Sequence, residues 1–283
     1  MSQTFRLTDY IFAENMKELR TMYKTIIIES EDAIDWLTLN RPNHLNTITP
    51  EMCEELQDYF GKLQFKHNTR VVILKGSGRA FCAGYDLKSA SGVSAGPITG
   101  LRFQRQVSEI YVRMRRCPQP IICLAHGATT GGGLAFALAS DVRIISDDAK
   151  INVAMVKVGL TGCDVGISYF LPRSVGQSVA AELMMTGRFI TPERALSLGL
   201  VSAVVSQEHL KEEGLSMAED MLKTSPLGLR LTKEGLGISI DSSSLDATVA
   251  FEDRGQILCA SAGLFEEGIS AFLEKRPSSY PDN

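Results

Sequence analysis

Ala125-His126-Gly127-Ala128-Thr129-Thr130-Gly131-Gly132-Gly133-Leu134-Ala135 is the stretch that decides the fold. It follows the β-rich run Ile121-Ile122-Cys123-Leu124, and its three glycines open a helix of small apolar residues. Glycine lets backbone N–H groups approach a ligand with no Cβ in the way. A helix start adds unpaired N–H donors and the positive end of a dipole. Together they predict a site for an anion or a developing oxyanion. The same run also reads as a close helix–strand contact, which needs glycine equally. A second small-residue turn, Ala80-Phe81-Cys82-Ala83-Gly84-Tyr85-Asp86-Leu87-Lys88, follows the strand-like Val71-Val72-Ile73-Leu74. Two donor turns, each just past a strand, predict a two-point clamp on one oxygen.

The rest of the chain sets bounds on that reading. Its 283 residues, 44% of them hydrophobic, suffice for one large domain with a sizeable core. A net charge of −4 and a pI near 5.7 speak against an extended nucleic-acid surface. No apolar run approaches the roughly 20 residues that span a bilayer. Residues 1–22 have no uninterrupted signal-peptide core, and the terminal Tyr280-Pro281-Asp282-Asn283 is no lipidation or peroxisomal address. A soluble cytoplasmic protein, without nucleic-acid or membrane partners, is the expectation. Cys53, Cys82, Cys117, Cys123, Cys163 and Cys259 show no metal spacing, and the four histidines form no ligand set, so no metal is expected. The cysteines read as small buried hydrophobes.

Periodicity and punctuation divide the chain into an N-terminal extension (1–22), a core (23–206) and a C-terminal helical region (207–283). Strands are expected at 23–29 and 33–40 around a turn at Ser30-Glu31-Asp32, then at 71–75, 121–124, 142–145, 151–153 and 200–205. Thr49-Pro50-Glu51 supplies a cap, an N1 proline and an acidic first turn for a helix to about Leu63. Residues 89–100, rich in Ser and Gly, read as a mobile loop. Helices are expected at 101–116, 131–140, 167–171, 179–186, 191–198, 209–224, 226–237, 245–260 and 264–274. Strands alternate with helices and helices then dominate, which is an α/β class.

From about Met22 to Arg276 the chain resembles the crotonase (enoyl-CoA hydratase/isomerase) superfamily. Leu39-Asn40-Arg41-Pro42-Asn43-His44-Leu45-Asn46 is similar to the family's first coenzyme A loop. Gly76 to Leu87 is similar to its first oxyanion turn, and Gly131-Gly132-Gly133 to its second. Thr186-Gly187, Gly199-Leu200-Val201 and Ala271-Phe272-Leu273-Glu274-Lys275-Arg276 also fit. The resemblance implies a spiral of ββα turns with a helical C-terminal trimerisation region, a homotrimer or homohexamer, and an acyl-CoA thioester as ligand. No separate cofactor is implied, coenzyme A being part of the substrate. It assigns the oxyanion donors to the backbone N–H groups of Tyr85 and Gly132. Substrate contacts would come from Asn43, His44, Leu45, Ala83, Asp86, Leu87, Lys88, Gly131, Met155, Phe272 and Lys275, with Lys88 and Lys275 as point charges for phosphate.

A thioester carbonyl collects negative charge when an α or γ proton leaves or a nucleophile adds at Cβ, and paired N–H donors stabilise that oxygen. Side-chain acids and bases then select the reaction. The family's two hydratase glutamates correspond here to Ala135 and Met155, neither of which moves a proton. Asp164, in Thr161-Gly162-Cys163-Asp164-Val165-Gly166, remains. An Asp-Val-Gly at this turn resembles the dienoyl-CoA isomerase branch, given one extra residue in the 161–163 stretch. That branch's other two carboxylates also fall at Ala135 and Met155, so the likeness is partial. Asp164 alternatively reads as the N-cap of the following helix. As a lone carboxylate desolvated beside Met155, Val156 and Phe170, it suits a one-base shuttle, hence double-bond isomerisation, with hydration also open. The alternatives are an acyl-CoA-binding protein without turnover, and another reaction of the fold such as C–C cleavage or thioester hydrolysis. His126 reads as a strand-end histidine, Asp86 as a brace of its own turn, and Glu109 and Tyr111 as lesser candidates for substrate contact. Met114, Met155 and the 89–100 loop suggest an adaptable apolar pocket.

Overall fold

The computed structural model describes residues 23–280 except Val93, so the expected N-terminal extension lies outside the described residues. The strands are β1 (Ile26–Glu31), β2 (Ile34–Leu39), β3 (Val71–Gly76), β4 (Ile121–Ala125), β5 (Ala128–Thr130), β6 (Val142–Ser146), β7 (Lys150–Asn152) and β8 (Ala203–Val205). The helices are α1 (Pro50–Leu63), α2 (Pro97–Arg116), α3 (Gly132–Ala139), α4 (Ile167–Val175), α5 (Gln177–Thr186), α6 (Pro192–Ser197), α7 (Leu210–Leu222), α8 (Pro226–Ser239), α9 (Leu245–Ser261) and α10 (Leu264–Glu274).

One sheet runs β1-β2-β3-β4-β6-β8, with β1 and β2 antiparallel and every later pairing parallel. Parallel strands are covered on both faces and so read as continuous apolar runs. In β3, Val72 and Leu74 join the cluster beneath α1, α2 and α3, while Val71 and Ile73 join Leu210 and Ala218 of α7 on the other face. Helix α3 is buried at every position after Gly132, which explains why it is apolar all round. Thr49 caps α1 by accepting a hydrogen bond from the Met52 N–H, as its sequence predicts.

A second, broken ladder lies beside the main sheet. It runs through the bridges Ile48–Tyr85 and Cys82–Thr129, the parallel pair β5–β7, and the bridge Ile151–Ile190. Successive turns of chain thus contribute once to each ladder, and this produces the α/β spiral. Both donor turns sit on the second ladder.

Three local expectations need correction. The first hairpin turns at Asp32–Ala33, both with positive φ, because Glu31 pairs with Ile34 and leaves a two-residue loop. Residues 89–100 are not a loop throughout: a 3-10 turn covers Leu87–Gly92, and α2 begins at Pro97. The backbone at Gly92 lies so near the Phe103 ring that a Cβ would sit 2.6 Å from it, and Pro97 supplies the N1 residue that starts the helix early. Strand β5 was not expected; at three residues it is too short for a period, although Thr129-Thr130 carries β-branched character.

Candidate active site

The glycines of the opening stretch do three different jobs. Gly131 has φ 54° and ψ −118°, a conformation that an L side chain rarely adopts. A Cβ on Gly132 would press on side-chain ends, Ile48 Cδ1 at 2.7 Å and the Tyr111 hydroxyl at 3.0 Å, with backbone no nearer than Gly84 Cα at 3.9 Å. A Cβ on Gly133 would lie 2.9 Å from the carbonyl carbon of Cys82 and closer still to its oxygen. The close-packing explanation therefore holds for Gly133, and the ligand-facing one remains for Gly131 and Gly132.

The two donor turns are in backbone contact. The Thr130 N–H donates to the Cys82 carbonyl at 3.0 Å, and the Thr130 hydroxyl donates to the Ala83 carbonyl at 3.0 Å. A Cβ on Gly84 would stand 3.7 Å from the Gly132 nitrogen. Around Ile48, the Gly84 carbonyl and the Asp86 N–H make the bridge hydrogen bonds, so Tyr85's own N–H points to the other side. Gly132 is the first residue of α3, and its N–H has no intrahelical acceptor. Both amides thus come from residues that line one cavity of about 300 Å³.

That cavity also brings together Ala83, Asp86, Leu87, Gly131, Met155 and Asp164, as the sequence expected of site residues. Phe103, Gln104, Val107 and Tyr111 of α2 form one wall. The remaining expected contacts lie outside its lining. Asn43 and His44 form an exposed 3-10 turn, Leu45 accepts a hydrogen bond from the Ala83 N–H, and Lys88 is exposed. Phe272 is 83% exposed on α10, and Lys275 is its exposed C-cap. Met114 is fully buried in the core and lines no part of this cavity, because its side chain points beneath α2. Glu109 faces away, paired with Arg113 at 3.0 Å. His126 braces the first turn through its Nε2 and the Gly78 carbonyl, 2.9 Å apart.

Two carboxylates line the cavity, and their surroundings drive them apart. Burial pushes the Asp86 carboxyl upward, but hydrogen bonds from Arg41, the Lys88 N–H and Thr47, with the Arg41 charge, bring the net shift below the ordinary value. Asp86 therefore stays ionised and braces its turn. At Asp164 burial dominates and raises the pKa, despite hydrogen bonds from the Val165 N–H and Gln104. The N-cap alternative for Asp164 fails. Gly166 is the cap residue of α4, with no side-chain cap, and the Asp164 backbone carbonyl is what accepts from Ile167 N–H. The Asp164 carboxyl instead accepts from Gln104 Nε2 at 2.5 Å, across 60 residues of sequence. Just past it, Val165 (φ 42°) and Gly166 (φ 89°) are both left-handed, a conformation that costs a β-branched residue about 1–3 kcal/mol. This sharp turn aims Asp164 at the cavity.

Tyr111, a lesser candidate from the sequence, does line this wall, whereas Phe103, Gln104 and Val107 were missed by sequence reading. The signal was there: Gln104, Val107 and Tyr111 recur at helical spacing on one face. Cys82, also near the site, is fully buried and its thiol is pushed up to about 12 by burial, so it is inert. Among the described residues, no cluster of three or more His, Cys, Asp or Glu could hold a metal ion, and no helix is long and apolar enough to cross a membrane. A larger, more open cleft of about 730 Å³ lies behind Tyr111 and Val165, but neither Gly132 nor Asp164 reaches it.

Known proteins are similar to this chain in sequence and fold. The profile of the enoyl-CoA hydratase/isomerase family matches residues 29–283. The chain is 37% identical to the protein called probable enoyl-CoA hydratase echA12 of Mycobacterium leprae, over 87% of this chain and 86% of that one. It is 31% identical to the 1,2-epoxyphenylacetyl-CoA isomerase of Escherichia coli K12, over 92% and 99% of the two chains. The crystal structure of an enoyl-CoA hydratase from Bacillus anthracis superposes with a TM-score of 0.86 at 30% identity, covering 92% of this chain and all of that one. The family profile over residues 29–283, relatives at 31–37% identity over most of both chains and the shared fold make this chain a member of the enoyl-CoA hydratase/isomerase family.

Proposed function

We propose that this protein moves a double bond within an enoyl-CoA thioester, with Asp164 as the sole proton carrier. The observation that carries the reading is the pairing of one desolvated carboxylate with two backbone donors around one cavity. Asp86, the other lining carboxylate, is tied to Arg41 at 3.2 Å and is no acid. Ala135 and Met155 offer no proton-transfer group.

The thioester oxygen accepts hydrogen bonds from the N–H groups of Tyr85 and Gly132. Asp164 removes a γ proton; the C–H electron pair becomes a new double bond, and charge passes through the dienolate to that oxygen. The carboxyl proton exchanges with solvent while the dienolate persists, the same carboxyl then delivers a proton at the α carbon, and the charge flows back. Reactant and product are isomers, so atoms and charge balance. The raised pKa of Asp164 brings its two protonation states closer in energy near neutral pH, which favours both halves of the shuttle.

Asn43, His44, Leu45 and Lys88, beside the first turn, hold the coenzyme A portion in this reading, and Phe272 and Lys275 do so from a neighbouring subunit. Leu245, Ile257, Phe265, Phe272 and Leu273, all exposed on α9 and α10, support a homotrimer or homohexamer. Coenzyme A arrives on the substrate, and no further cofactor is required.

A trans-2-enoyl-CoA incubated with the protein in deuterated water tests the proposal by mass spectrometry. Deuterium uptake without water addition, abolished in Asp164→Asn, is the expected result. A mass gain of one heavy water would establish hydration instead. A thioester that binds by calorimetry and stays unchanged would point to acyl-CoA binding without turnover.

A further inference from the structure

Gln104 stands on α2, far in sequence from Asp164, yet its side-chain amide reaches one carboxyl oxygen of Asp164 at 2.5 Å. Both residues line the cavity, and Gln104 shares its helix face with Val107 and Tyr111. The partner of each cavity carboxylate differs in kind. Asp86 meets a guanidinium, whose positive charge holds it ionised. Asp164 meets a neutral amide, which fixes direction and favours the ionised form without a full opposing charge. Gln104 engages Oδ1, and the Val165 N–H also donates to the carboxyl, so the group is held at the cavity from two elements.

We infer that Gln104 is a positioning residue for the proton shuttle, locking the Asp164 carboxyl in one orientation toward the cavity in which it both takes and returns the proton. This inference rests on the reading of Asp164 as the proton carrier. The amide N–H donates to the carboxylate, so it favours the ionised form and partly offsets the effect of burial. Gln104 thereby serves both halves of the shuttle: it orients the carboxyl and keeps the proton from being held too tightly. The other titratable groups lining the cavity are Asp86, ion-paired to Arg41, and the phenols of Tyr85 and Tyr111, both held above their ordinary value by burial. Neither phenol ionises in the range where Asp164 titrates. Cys163, next to Asp164 in sequence, is exposed.

The test compares Gln104→Met, Gln104→Glu and Asp164→Asn in the full chain, with the same enoyl-CoA in deuterated water. Melting curves confirm folding first. Gln104→Met keeps the volume and loses the donor. Its kcat should fall by about tenfold or more, the scale of one charge-assisted hydrogen bond, with KM nearly unchanged. Activity requires the ionised carboxylate, so losing a donor to that form moves the acid limb of the kcat profile to higher pH. Gln104→Glu places a second carboxylate beside Asp164 and should move that limb further up than methionine does. A residue acting only as a wall would leave the limb in place. Wild-type kcat and limb in Gln104→Met overturn the inference, and so does a lower kcat with an unmoved limb. Should the methionine variant fail to fold, the glutamate variant, nearly the same size, decides by the same limb. An active Asp164→Asn instead refutes the shuttle reading itself, whatever Gln104 does.

Discussion

Replacing Gly133 by alanine separates what holds the site together from what acts in it. The new Cβ would stand 2.9 Å from both the carbonyl carbon and the Cβ of Cys82, where ordinary carbon contacts lie at about 3.5–4.0 Å. It falls nearer still to the Cys82 oxygen. Rotamer changes cannot relieve a backbone clash, so α3 and the 80–84 turn must move apart by the better part of an ångström. Cys82 meets Ala128 and Thr130 through backbone hydrogen bonds of 2.9 and 3.0 Å, and these would stretch. Overpacking costs about 1–3 kcal/mol where side chains can yield, so we expect about 3 kcal/mol or more here. For a chain of this size that lowers Tm by on the order of 6–12 °C. Gly132→Ala is the control. Its Cβ would press on side-chain ends, Ile48 Cδ1 and the Tyr111 hydroxyl, rather than on backbone, so Tm should fall by less, while turnover falls because the Cβ enters the cavity beside the donor amide. Calorimetric melting and the deuterium-exchange assay read the two effects. A Gly133→Ala protein that melts like the wild type, or a Gly132→Ala protein that melts lower than Gly133→Ala, would refute this reasoning.

Asp164→Asn should raise Tm at pH 7 while removing exchange. A carboxyl whose folded pKa lies above 3.8 opposes folding once ionised, so the gain should vanish as pH falls below that value, where both states carry the proton; a constant gap across pH would contradict it. Lys233, 6% exposed, reaches the Gln119 carbonyl at 2.7 Å and Asp141 at 3.0 Å, tying α8 to the start of β4. Lys233→Met should therefore cost about 3 kcal/mol in urea unfolding, and an unchanged midpoint would show the contact to be idle. Fully buried Asn46 accepts from the Arg41 N–H and donates to the Ser77 and Ala80 carbonyls, each at 2.8 Å. Asn46→Ala strips all three and should cost about 3 kcal/mol, with weaker acyl-CoA binding by calorimetry because the first donor turn loosens.

Most elements were legible because each is long enough to show its period or carries its own punctuation. The Thr49-Pro50 start of α1 and the apolar run of β3 are examples. What escaped is short or depends on remote contact. Three-residue β5 shows no period, and the Ser/Gly-rich 89–100 stretch is held by packing of Gly92 on Phe103, which composition does not record. Among the cavity-lining residues, Tyr85, Gly132 and Asp164 were named from the sequence and its family resemblance. Gln104 was not, since a glutamine on an amphipathic helix has no motif of its own.

By itself, then, the sequence determined the α/β class and the two glycine-bearing turns after strands, because backbone conformation at those turns is a local property of small residues. Its resemblance to the family also marked Ala135 and Met155 as positions without an acid. Only the tertiary structure decided that the two turns meet on a second ladder, and that Gly133 answers to packing while Gly132 answers to the cavity. Tertiary structure likewise made Asp86 a brace and left Asp164 desolvated beside a neutral amide. Both residues are the same aspartate in sequence. Burial and the charge of a partner 45 residues away in one case and 60 in the other set their protonation, and those are distances that only folding closes.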